Sequence, residues 1–345
     1  MGEHQKKIET WLFTVCLFIM AMVVLGGITR LTGSGLSMVD WSLIGNLPPL
    51  NTEQWQALFD AYKQFPEYKH INYNMTLDQF KEIFWWEYIH RHLGRATGAV
   101  YFLPWMFFLF KGWVPFKSKL NFKLLIACIL GGMQGFFGWY MVKSGLVKVP
   151  HVSHLRLTLH LCTAFLIVSY IYWIYLSLKT KDSQFIGKSP TGFLKYLIFV
   201  LPLLTFVQIA YGALNAGLKL GYAFPEFPKM IGAWIPLGLW SRDTWVDNFF
   251  FNPTFVHFFH RSLAWFLVFT VLFLTVKTFG EGYSSHFKKA IKWMGNLIGA
   301  QFILGITIVL MGVPVWAGVL HQVVGCFFLL ATINLCFQTI STKES

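Results

Sequence analysis

The chain alternates between long apolar stretches and shorter polar segments. Each apolar stretch approaches the length of about 20 residues that an α-helix needs to cross a bilayer. Several contain Gly or polar residues, which helix–helix interfaces in membranes tolerate. The pattern predicts an all-α integral membrane protein with eight transmembrane helices, at residues 11–31, 87–110, 121–142, 155–178, 193–215, 255–278, 290–312 and 316–338.

The composition supports this prediction. Only 12% of the residues are charged and 55% are hydrophobic, with a mean hydropathy of +0.53, whereas a soluble domain carries about 25% charged residues. The polar residues 1–10 run directly into the first apolar stretch without a small-residue cleavage site, so we expect a retained first helix. No Arg- and Ser-rich transit sequence is visible, which favours a bacterial plasma membrane.

The charges orient the predicted helices. If the N-terminus is cytoplasmic, the cytoplasmic segments hold fifteen Lys and five acids, whereas the outer segments hold eight cations and ten acids. Cytoplasmic loops are enriched in Lys and Arg, so both termini are expected in the cytoplasm. The formal net charge of +13 then follows from topology, and nucleic acid is not an expected partner. Two long aromatic segments, 36–86 and 216–254, fall outside, either as an interfacial aromatic belt or as a lid over a site.

The eight predicted helices form two related sets of four. His90-Arg91 in the second helix corresponds to His260-Arg261 in the sixth, and Gln134 in the third corresponds to Gln301 in the seventh. We therefore expect two pseudo-symmetric four-helix bundles, with an N-terminal repeat at 1–180 and a C-terminal repeat at 190–345.

Four of the eleven histidines stand at similar depth. His90, His160, His260 and His321 each lie about six residues into predicted helices two, four, six and eight, all of which run inward. A lone intramembrane His is commonly a hydrogen-bonded core residue, but two in each repeat at one depth indicate a ligand. Two imidazoles from a helix bundle can bind a haem iron from both faces. Other metals or a proton relay are alternatives, although zinc or copper usually recruits Cys or carboxylates as well.

Charged side chains accompany these histidines. Glu87 precedes His90 by three residues, so the two share a helix face. It is either an interfacial acid favoured by the helix dipole or an acid, base or cation stabiliser in catalysis. The matching position of the second repeat holds His257, so only one repeat has the acid. Four arginines that could pair with haem propionates lie close to the histidines in sequence: Arg91, Arg95, Arg156 and Arg261.

The motifs around these residues resemble those of the haem A synthase family over nearly the whole chain. The matching segments are Gly26-Gly27-Ile28-Thr29-Arg30-Leu31-Thr32-Gly33-Ser34-Gly35-Leu36-Ser37-Met38, Glu87-Tyr88-Ile89-His90-Arg91 with Gly94-Arg95, Gln134-Gly135, Gly138-Trp139-Tyr140-Met141-Val142, Ser144-Gly145-Leu146, Arg156-Leu157-Thr158-Leu159-His160, His260-Arg261 and His321-Gln322. Some members carry a cysteine pair in the first external loop. This chain has no Cys between Cys16 and Cys128, so it resembles the subgroup that lacks the pair.

The resemblance implies an oxidoreductase that converts the C8 methyl group of haem O to a formyl group, through two hydroxylations and loss of water, giving haem A for terminal oxidases. It implies haem b as the cofactor, with His260 and His321 as ligands of its iron. His90 and His160 would then face the iron of the substrate haem, with Glu87 assisting catalysis. Membrane lipid, a haem O synthase and an electron acceptor that the sequence does not identify are the implied partners.

Two other functions share some of these features. A bis-histidine b-type cytochrome that only transfers electrons would have the four histidines but would not require Glu87 on one side only. A transporter with a duplicated bundle would not explain four histidines at one depth. Extracting the pigment and asking whether haem O and haem A accompany haem b would separate the three.

Overall fold

Helices account for nearly all regular structure in this chain. The computed structural model describes residues 2–38, 42, 45, 47–146, 150–179, 185–186, 188–279 and 282–343. Six charged residues that were counted for the topology lie outside the described residues: Asp40, Lys148, Lys181, Asp182, Glu281 and Glu344. The described elements are α1 (Glu3–Leu31), α2 (Thr52–Tyr62), α3 (Pro66–His70), α4 (Leu77–Phe110), α5 (Lys119–Gly145), α6 (His154–Lys179), β1 (Phe185–Ile186), α7 (Gly192–Leu218), α8 (Leu220–Ala223), α9 (Trp245–Phe251), α10 (Pro253–Thr278), α11 (Ser285–Leu310), α12 (Val315–Ser341) and β2 (Thr342–Lys343). The two short strands pair in parallel.

Eight of these helices are long and apolar enough to cross a membrane: α1, α4, α5, α6, α7, α10, α11 and α12. The predicted all-α fold with eight spans is confirmed, although α4 begins ten residues before the predicted start at 87. Thr76 and Gln79 form a capping box at its N-terminus, which satisfies backbone N–H groups that a new helix leaves unpaired. Lys81 and Glu82 lie in the added turns, and their charge kept this part of the helix out of the apolar pattern.

The chain divides into two compact units. One comprises Met1–Phe13 and Val168–Ser345 and is called here the C-terminal unit. Its helices α7, α10, α11 and α12 pack in a closed ring, because each contacts its two neighbours in that order. Leu201, Leu274, Met294 and Leu335 are fully buried in the core of this four-helix bundle. Helices α10 and α12 therefore stand at opposite corners of the ring.

The other unit, Thr14–Ile167, is called here the N-terminal unit. Within it α1 contacts α4, where Thr29 Oγ1 approaches the carbonyl of Trp86 at 3.5 Å. Helix α4 contacts α5, where the Tyr101 hydroxyl donates to the carbonyl of Leu124 at 2.6 Å. Helix α5 in turn contacts α6 through residues of the site described below. These contacts place α4 and α6 on either side of α5.

The segment between α1 and α4 has a small aromatic core of its own. Phe59, Tyr62, Phe80 and Phe84 are buried together where α2 packs on the first turns of α4. The Tyr62 hydroxyl donates to Glu67 Oε2 at 3.0 Å and accepts from Asn72 at 2.7 Å. Burial and the neighbouring Glu67 raise the pKa of Tyr62, which keeps the phenol neutral and able to donate. These aromatic side chains thus stabilise a folded extramembrane segment.

Candidate functional site

Two of the four intramembrane histidines lie together in the N-terminal unit. His90 is on α4 and His160 is on α6, and the two imidazoles are close enough to interact electrostatically. Each lies deep among the helices yet keeps part of its surface accessible. That combination leaves both rings available to a ligand inside the unit.

The other two histidines form a matching pair in the C-terminal unit. His260 on α10 and His321 on α12 lie near enough for a charge on one to affect the other, and they too are deep but partly accessible. Their helices stand at opposite corners of the four-helix ring. Two imidazoles that project from opposite corners can face one ligand between them.

Each histidine lies against a glycine on the preceding membrane helix. A Cβ atom added to Gly138 would stand 3.0 Å from His160 Cε1, and one added to Gly212 would stand 3.2 Å from His260 Cε1. The corresponding distances are 3.3 Å from Gly26 to His90 Nε2 and 3.3 Å from Gly305 to His321 Cε1. A side chain on any of these four glycines would push against an imidazole, so the glycines let each ring lie close to a helix backbone.

Glutamines lie beside three of the four imidazoles. Gln134 Nε2 is 3.4 Å from His160 Nε2, and Gln208 Nε2 is 3.5 Å from His260 Nε2. Gln208 also donates to the carbonyl of His260 at 3.0 Å. The backbone of Gln301 approaches the third imidazole, that of His321.

Glu87 is buried one turn before His90, with only 2% of its surface exposed. Its Oε2 accepts from the Ser37 hydroxyl at 2.7 Å and from the Met38 amide at 2.8 Å, and its Oε1 accepts from Arg91. An ion pair and three hydrogen bonds compensate for the burial of this carboxylate. Glu87 thereby ties the start of the segment after α1 to α4, on the helix that carries His90.

Arginines that follow the first histidine of each unit hold extramembrane backbone. Arg91 donates to the carbonyl of Met38 at 2.9 Å. Arg261 donates to the carbonyls of Phe224 and Lys229, both at 3.1 Å. A guanidinium has five N–H donors, so one arginine can hold a loop carbonyl and an anionic group at the same time.

The other two candidate arginines are placed differently. Arg95 donates to the carbonyl of Ser42. Arg156 donates to the carbonyl of Tyr140 at 2.8 Å, and its guanidinium lies 3.7 Å from the centre of that ring. The structure assigns both arginines to backbone contacts within the N-terminal unit.

The structure also brings in residues that the sequence did not single out. The hydroxyl of Ser37 and the amide of Met38 are two of them, and both bind Glu87. Gln208 is another, and it was missed because the residues around it differ from those around Gln134 and Gln301. Gln208 and Gly212 are four residues apart, as are Gln134 and Gly138, and this shared spacing could have identified it. His257, which matches Glu87, has its Nδ1 2.6 Å from Asn215 Oδ1.

Larger sets of metal ligands are absent from the part of the chain that the structure describes. No group of three or more His, Cys, Asp or Glu side chains there could hold a metal ion. The candidate site is therefore built from one imidazole pair in each unit, glycines and glutamines around the rings, and one buried Glu–Arg pair.

Comparison with known proteins gives one consistent result. A family model described as cytochrome oxidase assembly protein matches residues 9–333. The haem A synthase of Nitrosospira multiformis is 42% identical over 92% of this chain and 89% of its own length. The haem A synthase of Nitrosomonas eutropha is 39% identical over 97% of this chain and 94% of its own. The haem A synthase of Flavobacterium psychrophilum is 37% identical over 98% and 99%.

Proposed function

Because the chain belongs to the cytochrome oxidase assembly protein family, we propose that it is a haem A synthase of a bacterial membrane. In this proposal it oxidises the C8 methyl group of haem O to a formyl group, through two hydroxylations and loss of water. Each hydroxylation replaces a C–H bond by a C–O bond to the oxygen of a water molecule and releases two protons and two electrons, and the electrons pass to an acceptor outside the chain. The names of its relatives and its eight membrane helices support this function.

The observation that carries the proposal is the pair of imidazoles in each unit. In this proposal His90 with His160, and His260 with His321, would supply two bis-histidine sites, one within each unit. A b-type cytochrome that only transfers electrons could use the same four histidines, so the buried Glu87, which only one unit has, is what favours an enzyme over this alternative. An enzyme that modifies one haem with the help of another needs two different sites.

The residues present fit a haem. The imidazoles lie deep but keep part of their surface accessible, and the Nδ1 atoms of His160, His260 and His321 are on the buried side of each ring. An imidazole that binds iron through one nitrogen carries a proton on the other. The glycines leave room for the rings to lie against the neighbouring helices.

We assign the C-terminal pair to the resident haem b and the N-terminal pair to the substrate. His260 and His321 would ligate haem b, which when bound supplies a path for electrons. His90 and His160 would orient the substrate haem. Arg91, Arg95, Arg156 and Arg261 are the candidates to neutralise propionates, and a haem O synthase is a candidate partner for delivery.

Glu87 is assigned to the substrate site because it lies on the helix of His90. Its carboxylate, held by Ser37, Met38 and Arg91, fixes the position of a buried charge beside that site. The second unit has His257 at the matching place, so this charge belongs to one unit only. In this proposal the site where haem O reacts uses such a carboxylate, whereas the site that only binds the resident haem b does not need one.

The direct test is haem A formation in a bacterial host that makes haem O but no haem A. Expression of this chain should produce haem A, which is measured by chromatography and mass spectrometry of extracted haems. His90→Ala should leave haem O unconverted while the protein still accumulates in the membrane.

The same experiment distinguishes a haem A synthase from the main alternative, a cytochrome that only transfers electrons. Protein that purifies with haem b, but whose host contains no haem A, would indicate an electron-transfer cytochrome and would overturn the proposal. Protein that purifies with no haem at all would exclude both functions.

A further inference from the structure

Matching positions of the two units carry side chains of very different size. The correspondence between Gln134 and Gln301 extends along α5 and α11, and Gly138 and Gly305 then also match. The same alignment pairs two glycines of α5 with large apolar residues of α11: Gly131 with Ile298, and Gly135 with Phe302. One unit therefore lacks side chains where the other has two large ones.

In the C-terminal unit these places are filled. Ile298 is buried in the core of the four-helix bundle. The ring of Phe302 lies 4.5 Å from that of Trp265 on α10 and 6.0 Å from that of Phe227. Both side chains lie within about two turns of Gly305, so they occupy the space beside the part of α11 that meets an imidazole.

In the N-terminal unit the same places are open. Gly131 and Gly135 are exposed, and a Cβ atom on either would meet no atom within 4 Å in the part of the chain that the structure describes. Gly98 on α4 has the same surroundings. Its counterpart on α10 is Val268, which packs against the bundle core. Three glycines thus stand where the other unit has Ile, Phe and Val.

The two glycines of α5 lie on the face that this helix turns toward its own unit. Helical residues three, four and seven apart share a face, so Gly131 and Gly135 are in line with Gly138, which contacts α6. About four turns before Gly135 on the same face, Asn121 accepts from Trp105 Nε1 of α4 at 3.0 Å. The glycines therefore lie between two contacts that both point into the unit.

Gly98 faces the same region from the neighbouring helix. It precedes Tyr101 by three residues, and the Tyr101 hydroxyl donates to the carbonyl of Leu124 on α5 at 2.6 Å. Gly98 and Gly131 both lie near the middle of their helices. The three glycines, called here the glycine face, thus line a space at the most apolar depth of the N-terminal unit.

One end of the glycine face meets the candidate haem site. Gly138 lies against the imidazole of His160, and the Nδ1 atom of that ring is buried with no hydrogen-bond partner among the described residues. Oε1 of Gln134, one turn before Gly138, has none there either. Buried polar atoms of this kind call for an explanation, and a ligand at this end of the glycine face supplies one.

The two haems of the proposed function differ in what they need from such a space. Haem O carries a long isoprenoid chain, a hydroxyethylfarnesyl group, where haem b has a vinyl group. The chain leaves the macrocycle at the edge away from the propionates. If the propionates face the arginines near the helix ends, the chain points toward the middle of the helices, where apolar groups are stable.

We propose that Gly98, Gly131 and Gly135 form the binding surface for the isoprenoid chain of haem O. The larger side chains at the matching positions of the C-terminal unit exclude such a chain, so that unit keeps haem b. The proposal rests on the proposed function and adds to it how the two sites distinguish two haems. The glycine face selects haem O through the side chains that it lacks.

Transfer of side chains from one unit to the other tests this proposal. Gly131→Ile and Gly135→Phe place the residues of α11 on α5. Purified protein that contains its haem b is titrated with haem O or with further haem b, and the difference absorption spectrum gives a Kd for each. The unmodified protein should bind haem O at least about tenfold more tightly, since burial of two CH₂ groups of the chain corresponds to about that factor. Each variant should lose this preference, because the Kd for haem O rises and that for added haem b does not.

Gly132 provides the matched control. It is exposed on α5, a Cβ atom there would meet nothing within 4 Å among the described residues, and its counterpart Gly299 is also a glycine. Gly132→Ile alters the helix as much as Gly131→Ile and should leave both Kd values unchanged. An equal loss of haem O affinity in these two variants would overturn the proposal, because the effect would not depend on the glycine face.

A third variant tests the same surface from α4. Gly98→Val installs the residue of α10 without any change to α5, and it should also abolish the preference for haem O. If Gly135→Phe does not accumulate in the membrane, Gly131→Ile and Gly98→Val decide the question from two helices.

The results distinguish this inference from the proposed function. If haem A is formed, but the variants at Gly98, Gly131 and Gly135 all keep the unmodified ratio of the two Kd values, the inference is wrong and the function stands. If the unmodified protein binds no haem O, the proposed function fails and the inference fails with it.

Discussion

Glu87 holds two segments of the N-terminal unit together through one buried carboxylate. It accepts hydrogen bonds from Ser37 and Met38, which follow α1, and from Arg91 on its own helix. Removing one member of a buried, hydrogen-bonded charge pair leaves the other charge uncompensated. A change at Glu87 should therefore disturb the surroundings of His90.

Replacement of Glu87 by glutamine should separate chemistry from cofactor binding. In Glu87→Gln the haem b spectrum should persist, because the proposed ligands of haem b, His260 and His321, are in the other unit. Haem A formation should fall about 100-fold, within the range for loss of a positioned acid–base group. The ratio of haem A to haem O in cell extracts measures the effect.

The matched control lies on the same helix. Glu82 is exposed on α4, so Glu82→Gln removes an equal charge without affecting the network and should leave haem A formation intact. A wild-type yield of haem A from Glu87→Gln would remove Glu87 from the mechanism.

Two glycines on α11 allow a test of how closely this helix packs against an imidazole. Gly305 and Gly299 both lie on α11, but only the first meets an imidazole, at 3.3 Å from His321 Cε1, whereas nothing lies within 4 Å of a Cβ atom on the second. Overpacking of this kind costs about 1–3 kcal/mol. Gly305→Val should lower the haem b content per protein, measured as the pyridine haemochrome, and Gly299→Val should not. Equal haem content in the two variants would contradict the packing described for His321.

The sequence predicted which elements form better than where they begin. The eight spans were visible because each needs about 20 apolar residues. The first turns of α4 were missed because a capping box and packing with Phe80 and Phe84 stabilise them, and neither feature raises hydropathy. Polar helix ends of this kind depend on tertiary contacts that a hydropathy pattern does not contain.

The sequence indicated that histidine pairs form the candidate site, but it did not reveal the contacts around Glu87 and Gln208. Histidines in equivalent helices indicated two pairs, and the structure places the members of each pair within one unit. Arg91 is four residues from Glu87, but Ser37 and Met38 come from a segment 50 and 49 residues away, so no local pattern links them to Glu87. Gln208 has a recognisable spacing to Gly212, but its role depends on the helix that packs beside it.

For the whole molecule, the repeats at 1–180 and 190–345 stay a prediction. The recurrence of one His–Gly contact in four places supports a duplicated design. An even number of spans would place both termini on one side, and the Lys-rich segments predict that this side is the cytoplasm.

Reporter fusions test that topology. Green fluorescent protein fused after residue 343 should fluoresce, since it folds in the cytoplasm. Alkaline phosphatase fused within 216–254 should be active, since it needs the oxidising outer compartment. The reverse pattern would invert the predicted orientation and place the histidines near the cytoplasmic face.

The central claim is that imidazole pairs inside the membrane helices hold haem, and the absorption spectrum of purified protein tests it most directly. The unmodified protein should show a low-spin haem b spectrum. His260→Ala and His321→Ala should each abolish it, while His70→Ala, at an exposed position on α3, should preserve it. A full low-spin spectrum in both His260→Ala and His321→Ala would contradict the account.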